Sequence, residues 1–192
     1  AFLAPLFGEA DYVEQNVELC GIAEHNFGVL QLHHARVHCA SAAQFLQEAD
    51  PYDFVYLDPA RRDEAGRKVF RIEDCTPDLT EICALLLEKA GHVMVKYSPM
   101  LDIALAVKTL GHVGEVQVVS VDNECKELLF LLSKTAGAAP QYVAVNLKRS
   151  GEQERFSFTM AQEQQAAISF ADAPGRYLYE PNASILKAGA FK

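Results

Sequence analysis

The chain has 192 residues, half of them apolar, and a formal net charge of −9 from 17 Lys and Arg against 26 Asp and Glu. This length suits one medium-sized domain, with room for an appendage. The acidic balance argues against non-specific nucleic-acid binding, which needs basic surface to meet phosphates. A local basic patch remains at residues 61–71, although acids interrupt and flank it, so a solvated loop explains it equally well.

The cysteines and histidines indicate neither a disulfide framework nor a metal centre. The five cysteines are scattered and form no CxxC pair, which is typical of reduced thiols in a cytoplasmic protein. His33, His34 and His38 lie close in sequence, but no cysteine or carboxylate stands beside them at ligand spacing. No apolar run approaches the roughly 20 residues of a membrane span, and there is no signal peptide. We expect a cytoplasmic protein with no metal and no membrane partner.

Short β-rich runs alternate with stretches of helical periodicity from residue 11 onward. The predicted strands are residues 11–14, 36–39, 54–57, 92–96, 116–121 and 128–132. The predicted helices are residues 16–27, 41–47, 78–90 and 103–110, the last two ended by Gly91 and Gly111. Alternating units of this kind predict a doubly wound, mostly parallel α/β sheet with right-handed crossovers.

Two strand patterns refine this prediction. Residues 54–57 are apolar without alternation, which indicates burial on both faces, as in a parallel sheet. The strands at 116–121 and 128–132 are separated by a short link, which predicts an antiparallel last strand.

The C-terminal quarter has a different character. Residues 142–148 alternate strictly, a Ser-Gly turn follows, and residues 155–159 alternate again. This pattern predicts an exposed two-stranded hairpin, followed by a Gln- and Ala-rich helix at 160–167. We therefore predict a main domain at residues 1–135 and a hairpin appendage in residues 136–192.

Polar residues follow four of the predicted strands. These strand ends read Glu14-Gln15-Asn16, Cys39-Ala40-Ser41, Asp58-Pro59-Ala60-Arg61-Arg62 and Lys96-Tyr97-Ser98-Pro99. Because ligands of an open parallel sheet bind at the carboxyl ends of its strands, we expect these four ends to meet along one edge.

Each charged residue at these ends admits two interpretations. Glu14 either accepts hydrogen bonds from a ribose diol or stabilises the start of the following helix. Asp58 either ends a strand in a turn or accepts a proton or hydrogen bond from a substrate. Lys96 either pairs with Asp58 across adjacent strands, which we favour, or contacts the substrate.

Four phrases carry a family resemblance: YVEQN at 12–16, YLDPARR at 56–62, VKYSPMLD at 95–102 and YLYEPNASILKAGAF at 177–191. With them the chain resembles class I S-adenosylmethionine-dependent methyltransferases. More narrowly, it resembles bacterial methyltransferases that carry a THUMP-like RNA-binding module after the catalytic domain. The resemblance implies a Rossmann-like methyltransferase sheet with an antiparallel last strand and an RNA substrate, a base of ribosomal or transfer RNA.

The resemblance also assigns roles to individual residues. It implies that S-adenosylmethionine is held by the cofactor-binding residues Glu14, Gln15, Ala40, Ser41 and Asp58. It implies catalytic roles for four residues: Asp58, Pro59, Arg61 and Lys96. Asp58 would orient the methyl acceptor, Pro59 would stiffen the turn, and Arg61 would stack on a base or clamp a phosphate.

The chain departs from the family in three places. The first strand of the family and its glycine-rich loop should precede residue 1, so we expect a fragment that lacks them and is itself inactive. Ala40 and Ser41 stand where the family often has an Asp near the adenine. Arg61 stands where amino-methyltransferases usually have an aromatic ring, and KYSPM lacks the cysteine that carbon-5 methylation of uridine needs.

Other interpretations remain open. The acidic net charge favours a small-molecule methyltransferase. A non-catalytic module could instead bind RNA or protein through the 142–159 hairpin, or form a homo-oligomer through its edge. A dehydrogenase is a further α/β alternative, against which the antiparallel last strand argues.

Overall fold

The computed structural model describes residues 1–60, 71–137 and 139–192. Within these residues the chain forms two compact units, Ala1–Pro51 (unit 1) and Tyr52–Lys192 (unit 2). No helix in the described ranges is long and apolar enough to cross a bilayer. Both units combine strands with helices, so the predicted mixed α/β fold is confirmed.

Unit 1 is a pair of parallel strands joined by a crossover helix. Its elements are a short 3₁₀ helix Ala4–Leu6, β1 Ala10–Glu14, α1 Val17–Val29, β2 Ala35–Cys39 and α2 Ala42–Glu48. The register runs from Ala10 opposite Ala35 to Glu14 opposite Cys39. Since neighbouring parallel strands need a crossover connection, α1 places the carboxyl ends of β1 and β2 side by side.

Unit 2 contains one six-stranded sheet and four helices. Its strands are β3 Tyr52–Leu57, β4 Ala90–Tyr97, β5 Val113–Val121, β6 Glu124–Leu132, β7 Gln141–Leu147 and β8 Gln153–Phe158. Its helices are α3 Leu79–Lys89, α4 Ile103–Leu110, α5 Met160–Gln165 and α6 Ala183–Ala188. The strand order is β3-β4-β6-β5-β7-β8.

Strand direction in this sheet follows the sequence prediction. β3 and β4 are parallel, and so are β5 and β7. β6 lies between β4 and β5 and is antiparallel to both, which confirms the predicted antiparallel pair. β8 is antiparallel to β7, so four strands run one way and two run the other.

The core of unit 2 lies on one face of its sheet. Alternate residues of β4, β5 and β6 are almost fully buried there: Val93, Val95, Val116, Val118, Leu128 and Phe130. Helix α3 buries the four residues predicted as its inner side: Leu79, Ile82, Leu86 and Leu87. This burial of apolar surface holds α3 and β4 to β6 together.

The sequence predicted that Gly91 ends a helix, and this prediction is wrong. Helix α3 ends at Lys89 because Ala90 already adopts an extended conformation, and Gly91 lies within β4. A Cβ atom at Gly91 would lie 3.1 Å from the main-chain oxygen of Asp53 in β3. Glycine is needed here for the close approach of two strands.

Two predictions about burial are also wrong. β3 is not buried on both faces, since Tyr56 is 40% exposed. The reason is its position at the end of the strand order in unit 2, where it pairs with β4. β7 and β8 pair as antiparallel strands, but β7 is not exposed as predicted, because it also pairs with β5 and buries Tyr142, Val143 and Ala144. The sheet therefore continues across the predicted boundary at residue 135, and the division into domains stays a prediction.

Candidate active site

The carboxyl edge of unit 1 brings together the cofactor-binding residues predicted from the first two strands. The main-chain N–H of Ala40 donates to the carbonyl oxygen of Glu14 at 3.1 Å. Glu14 and Ala40 are half-buried, whereas Gln15 and Ser41 are exposed. These four residues therefore lie at one edge, and their contact with a cofactor stays a prediction.

Glu14 has the structural role that the sequence allowed as an alternative. Its Oε1 accepts the main-chain N–H of Asn16 at 2.8 Å. Asn16 in turn caps α1, because its Oδ1 accepts the N–H groups of Glu18 at 2.9 Å and Leu19 at 3.2 Å. The carboxylate thus fixes the residue that starts the helix.

Ser41 also begins a helix. Its Oγ accepts the main-chain N–H of Gln44 at 3.2 Å and caps α2. The polar side chains at this edge are therefore held in place by local helix starts, which gives them fixed positions before any ligand arrives.

Sequence reasoning missed two groups beside Glu14. The Cys20 thiol donates to the carbonyl oxygen of Glu14 at 3.2 Å, and burial raises the pKa of that thiol to about 11. The pKa of Tyr12 is also raised, first by burial and then by the charge of Glu14. Their spacing before and after Glu14 gives no motif that could have indicated them.

His33, His34 and His38 do not form a metal-binding cluster. His34 Nε2 lies 3.0 Å from the carbonyl oxygen of Ala4, and His38 Nε2 lies 2.6 Å from Asp11 Oδ1. Arg36 Nε donates to the same Asp11 oxygen at 2.9 Å. Among the residues that the structure describes, no three potential ligands lie close enough to hold a metal ion.

The carboxyl edge of unit 2 contains an ion pair. Lys96 Nζ lies 2.5 Å from Asp58 Oδ2, which confirms the predicted pairing across adjacent strands. Glu127 of β6 lies on the other side, with Oε1 3.9 Å from the same ammonium. Burial lowers the pKa of Lys96, but the hydrogen bond and charge of Asp58, then Glu127 and Tyr56, outweigh it and raise that pKa above its usual value. The lysine is therefore a charged donor throughout the neutral range.

Asp58 remains accessible despite this pairing. Its side chain is 53% exposed, against 26% for Lys96. Pro59 is buried, and the main chain of Ala60 exchanges two hydrogen bonds with Thr76, at 2.8 and 3.0 Å. The turn after β3 is therefore fixed on both sides while its carboxylate faces solvent. Arg61, predicted to be catalytic, lies outside the described residues.

Glu127 and Tyr56 complete this cluster and were not singled out from the sequence. Tyr56 lies near the end of β3 and two residues before Asp58, so the two side chains are close enough for the charge of Asp58 to act on the phenol. Its phenol has a raised pKa, first because of burial and then because of Asp58. Glu127 could not be placed from sequence, because the register of β6 against β4 is set by tertiary pairing.

Comparisons with known proteins support a methyltransferase. The "putative methyltransferase from Porphyromonas gingivalis W83" is 34% identical to this chain, with a TM-score of 0.82, over 96% of this chain and 47% of that one. The chain resembles a methyltransferase. It spans about half the length of that solved structure.

The other comparisons add less. A family model described as a ferredoxin-like domain matches residues 177–192. No curated protein matches the chain. The type I restriction-modification methyltransferase subunit from Streptococcus thermophilus is 12% identical, with a TM-score of 0.42, over 73% of this chain and 42% of that one. At that level the likeness supports no argument.

Proposed function

We propose that the protein is an S-adenosylmethionine-dependent methyltransferase that acts on a base of ribosomal or transfer RNA. The observation that carries this proposal is the accessible carboxylate of Asp58, paired with Lys96 at the carboxyl edge of parallel strands. The 34% identity to the Porphyromonas gingivalis protein supports the class of reaction. The resemblance of the YLDPARR phrase supports Asp58 as the residue that meets the acceptor.

The residues at the edge of unit 1 fit the proposed cofactor. The Glu14 carboxylate is half-buried at a strand end, where it can accept hydrogen bonds from a ribose diol. Ala40 beside it offers main-chain groups, and Ser41 a hydroxyl. When bound, the cofactor supplies an activated methyl group on a sulfonium. Recognition here would depend on one carboxylate, one hydroxyl and main-chain groups.

The residues of unit 2 account for the acceptor side of the reaction. Lys96 holds Asp58 Oδ2, and the carboxylate is still 53% exposed, so it can accept a hydrogen bond from an incoming N–H or O–H group. A carboxylate in this position fixes the acceptor and can take its proton. Because the methyl donor is already reactive, alignment of the acceptor supplies much of the rate enhancement.

Replacement of Asp58 tests this assignment in the complete gene product. We expect Asp58→Ala to lower methyl transfer from labelled S-adenosylmethionine to bulk RNA at least about 100-fold. The variant lacks the carboxylate that orients the substrate and takes its proton. The resemblance also places Asp58 among the cofactor-binding residues, but we assign it here to the acceptor. Cofactor affinity by calorimetry should therefore change less than about twofold.

Asp53→Asn provides the control, because Asp53 is an exposed carboxylate on β3, the strand that Asp58 follows. It should transfer methyl groups at the wild-type rate. Equal turnover by Asp58→Ala and wild type would contradict the proposed role of Asp58.

A small-molecule acceptor is the second candidate, and the net charge of −9 favours it. The two candidates differ in their dependence on salt. RNA binding should weaken steeply as salt rises, because phosphate contacts release counterions. Transfer that is insensitive to salt and absent with RNA would favour the small molecule.

A partner at the hairpin is a separate proposal. β8 ends the strand order of the sheet, and Phe156 in it is 46% exposed. An edge strand of this kind can pair with another chain. Sedimentation of the protein at increasing concentration tests for a homo-oligomer, and a monomer at all concentrations would oppose it.

A further inference from the structure

The EPNASILKAG stretch, residues 180–189, lies outside the proposed site and contains helix α6. Asn182 caps this helix, because its Oδ1 accepts the N–H of Ile185 at 3.1 Å and the hydroxyl of Ser184 at 2.6 Å. Gly189 ends it with a φ of 89°. This conformation favours glycine, so the stretch encodes both ends of a short helix.

The start of α6 is tied to the sheet of unit 2. Asn123, in the turn between β5 and β6, accepts the N–H of Ala183 through its Oδ1 at 2.6 Å. Its own N–H donates to Oδ1 of the buried Asn146 at 2.9 Å, and Asn146 Nδ2 donates to Glu154 at 2.8 Å. The helix therefore has a fixed position on the sheet.

The last turn of α6 contacts the loop that follows β4. Lys187 Nζ donates to the main-chain carbonyl of Leu101 at 3.0 Å, across 86 positions of sequence. Leu101 is buried, and Lys187 is half-buried. A partly buried ammonium that donates to a backbone carbonyl fixes the position of the main chain. A surface ion pair between two flexible side chains does not have this effect.

Among the described residues, this loop also forms hydrogen bonds within its own turn. The N–H of Leu101 donates to the carbonyl of Ser98 at 3.1 Å, and the N–H of Met100 donates to the Ser98 hydroxyl at 3.2 Å. Asp102 then caps α4. Lys187 supplies the contact that joins this local turn to a distant part of unit 2.

The loop leaves the sheet beside the proposed acceptor site. β3 and β4 are parallel with Leu57 opposite Val95, so Asp58, directly after β3, lies beside Lys96, near the end of β4, and the loops that follow leave from the same edge. Met100 at the tip of the loop is 72% exposed. Residues 98–101 would therefore be the neighbours, on the β4 side, of an acceptor bound at Asp58.

We propose that Lys187 is a positioning residue for methyl transfer, because its bond to the Leu101 carbonyl holds the loop against which the acceptor is aligned. This inference rests on the proposed function. Lys187 touches neither acceptor nor cofactor in this role; it acts through the loop. The C-terminal stretch that matches the ferredoxin-like model is then part of the acceptor site's support.

Lys187→Met tests this, since it keeps the aliphatic stem and removes the donor. Amide hydrogen exchange in residues 98–105 should become about fivefold faster, because the loop loses its distant contact, while exchange in β5 stays unchanged. In the complete gene product, kcat should fall about tenfold with the cofactor KM unchanged, because acceptor alignment is lost.

Two variants serve as controls. Lys187→Arg keeps a charged donor and should restore the slow exchange and most of kcat. Lys108→Met removes an exposed lysine from the last turn of α4 and should change neither measurement. If Lys187→Met fails to fold, Lys187→Gln replaces it, because its shorter uncharged side chain weakens the same contact. Faster loop exchange together with a lower kcat supports the positioning role, and an unchanged kcat opposes it.

The failures of the two proposals are distinguishable. A wild-type protein that transfers no methyl group refutes the proposed function, and the positioning role with it. An active wild type with an equally active Lys187→Met refutes the positioning role alone. Faster loop exchange with an unchanged kcat also refutes the positioning role, because the contact then stabilises the loop without affecting methyl transfer.

Discussion

The carboxyl edges of the two units use similar polar residues for different purposes. In unit 1, Glu14 binds the N–H of Asn16 and Ser41 caps α2, so the strand ends serve the helices that follow. In unit 2, Asp58 pairs with Lys96, and the next described helix, α3, is capped by Asp78. Among the described residues Asp58 caps no helix, so its carboxylate can meet a substrate.

The interiors of the two units differ as well. In unit 2, Phe130 and its neighbours in β4 to β6 are almost fully buried. In unit 1, helix α1 buries Cys20 and Ala23 but leaves Val17, Ile22 and Val29 more than half exposed. Stability should therefore reside mainly in the core of unit 2.

Removal of a core side chain in unit 2 should have the largest effect. We expect Phe130→Ala to lower the free energy of unfolding by about 3–5 kcal/mol, because it leaves a cavity in a fully packed region. Ile22→Ala, at an exposed position of α1, should change it by less than about 0.5 kcal/mol. Denaturant unfolding of both variants measures the difference. If both substitutions lowered the free energy of unfolding equally, Ile22 would have to be buried in the purified protein, contrary to its exposure in this structure.

Changes at the two edges should have smaller and unequal effects. Asn16→Ala and Ser41→Ala each remove a helix cap in unit 1 and should cost about 1 kcal/mol. Asp58→Ala should cost less than about 1 kcal/mol, because its ion pair is half exposed. Thermal unfolding of the three variants tests whether one edge is mainly structural and the other mainly functional. A cost for Asp58→Ala above that of the caps would contradict this division.

Thiol reactivity tests the edge of unit 1 without changing its stability. Burial raises the pKa of Cys20 to about 11, whereas Cys39 is exposed. At pH 8 only about a thousandth of such a buried thiol is ionised, so Cys39 should be alkylated well before Cys20. Cys20 should react faster as the pH approaches 11, and peptide mass spectrometry follows both sites. Alkylation of Cys20 and Cys39 at the same rate would show that α1 does not remain packed against β1.

The sequence was sufficient for the elements and for part of the site. Regular periodicity predicted α3 and its four buried residues, because an inner face repeats every three or four positions. It also predicted the pairing of Asp58 with Lys96, because both residues follow apolar strands that were expected to be neighbours. Whether the strand ends of units 1 and 2 meet along one edge stays a prediction.

Tertiary structure decided the rest. It inserted β6 between β4 and β5, which brought Glu127 to Lys96, and it paired β7 with β5, which buried residues expected to be exposed. It also joined Lys187 to Leu101, a contact that no local pattern encodes. Sequence periodicity reports which side of an element is apolar, but strand order and register depend on which elements pack together, and that depends on the whole chain.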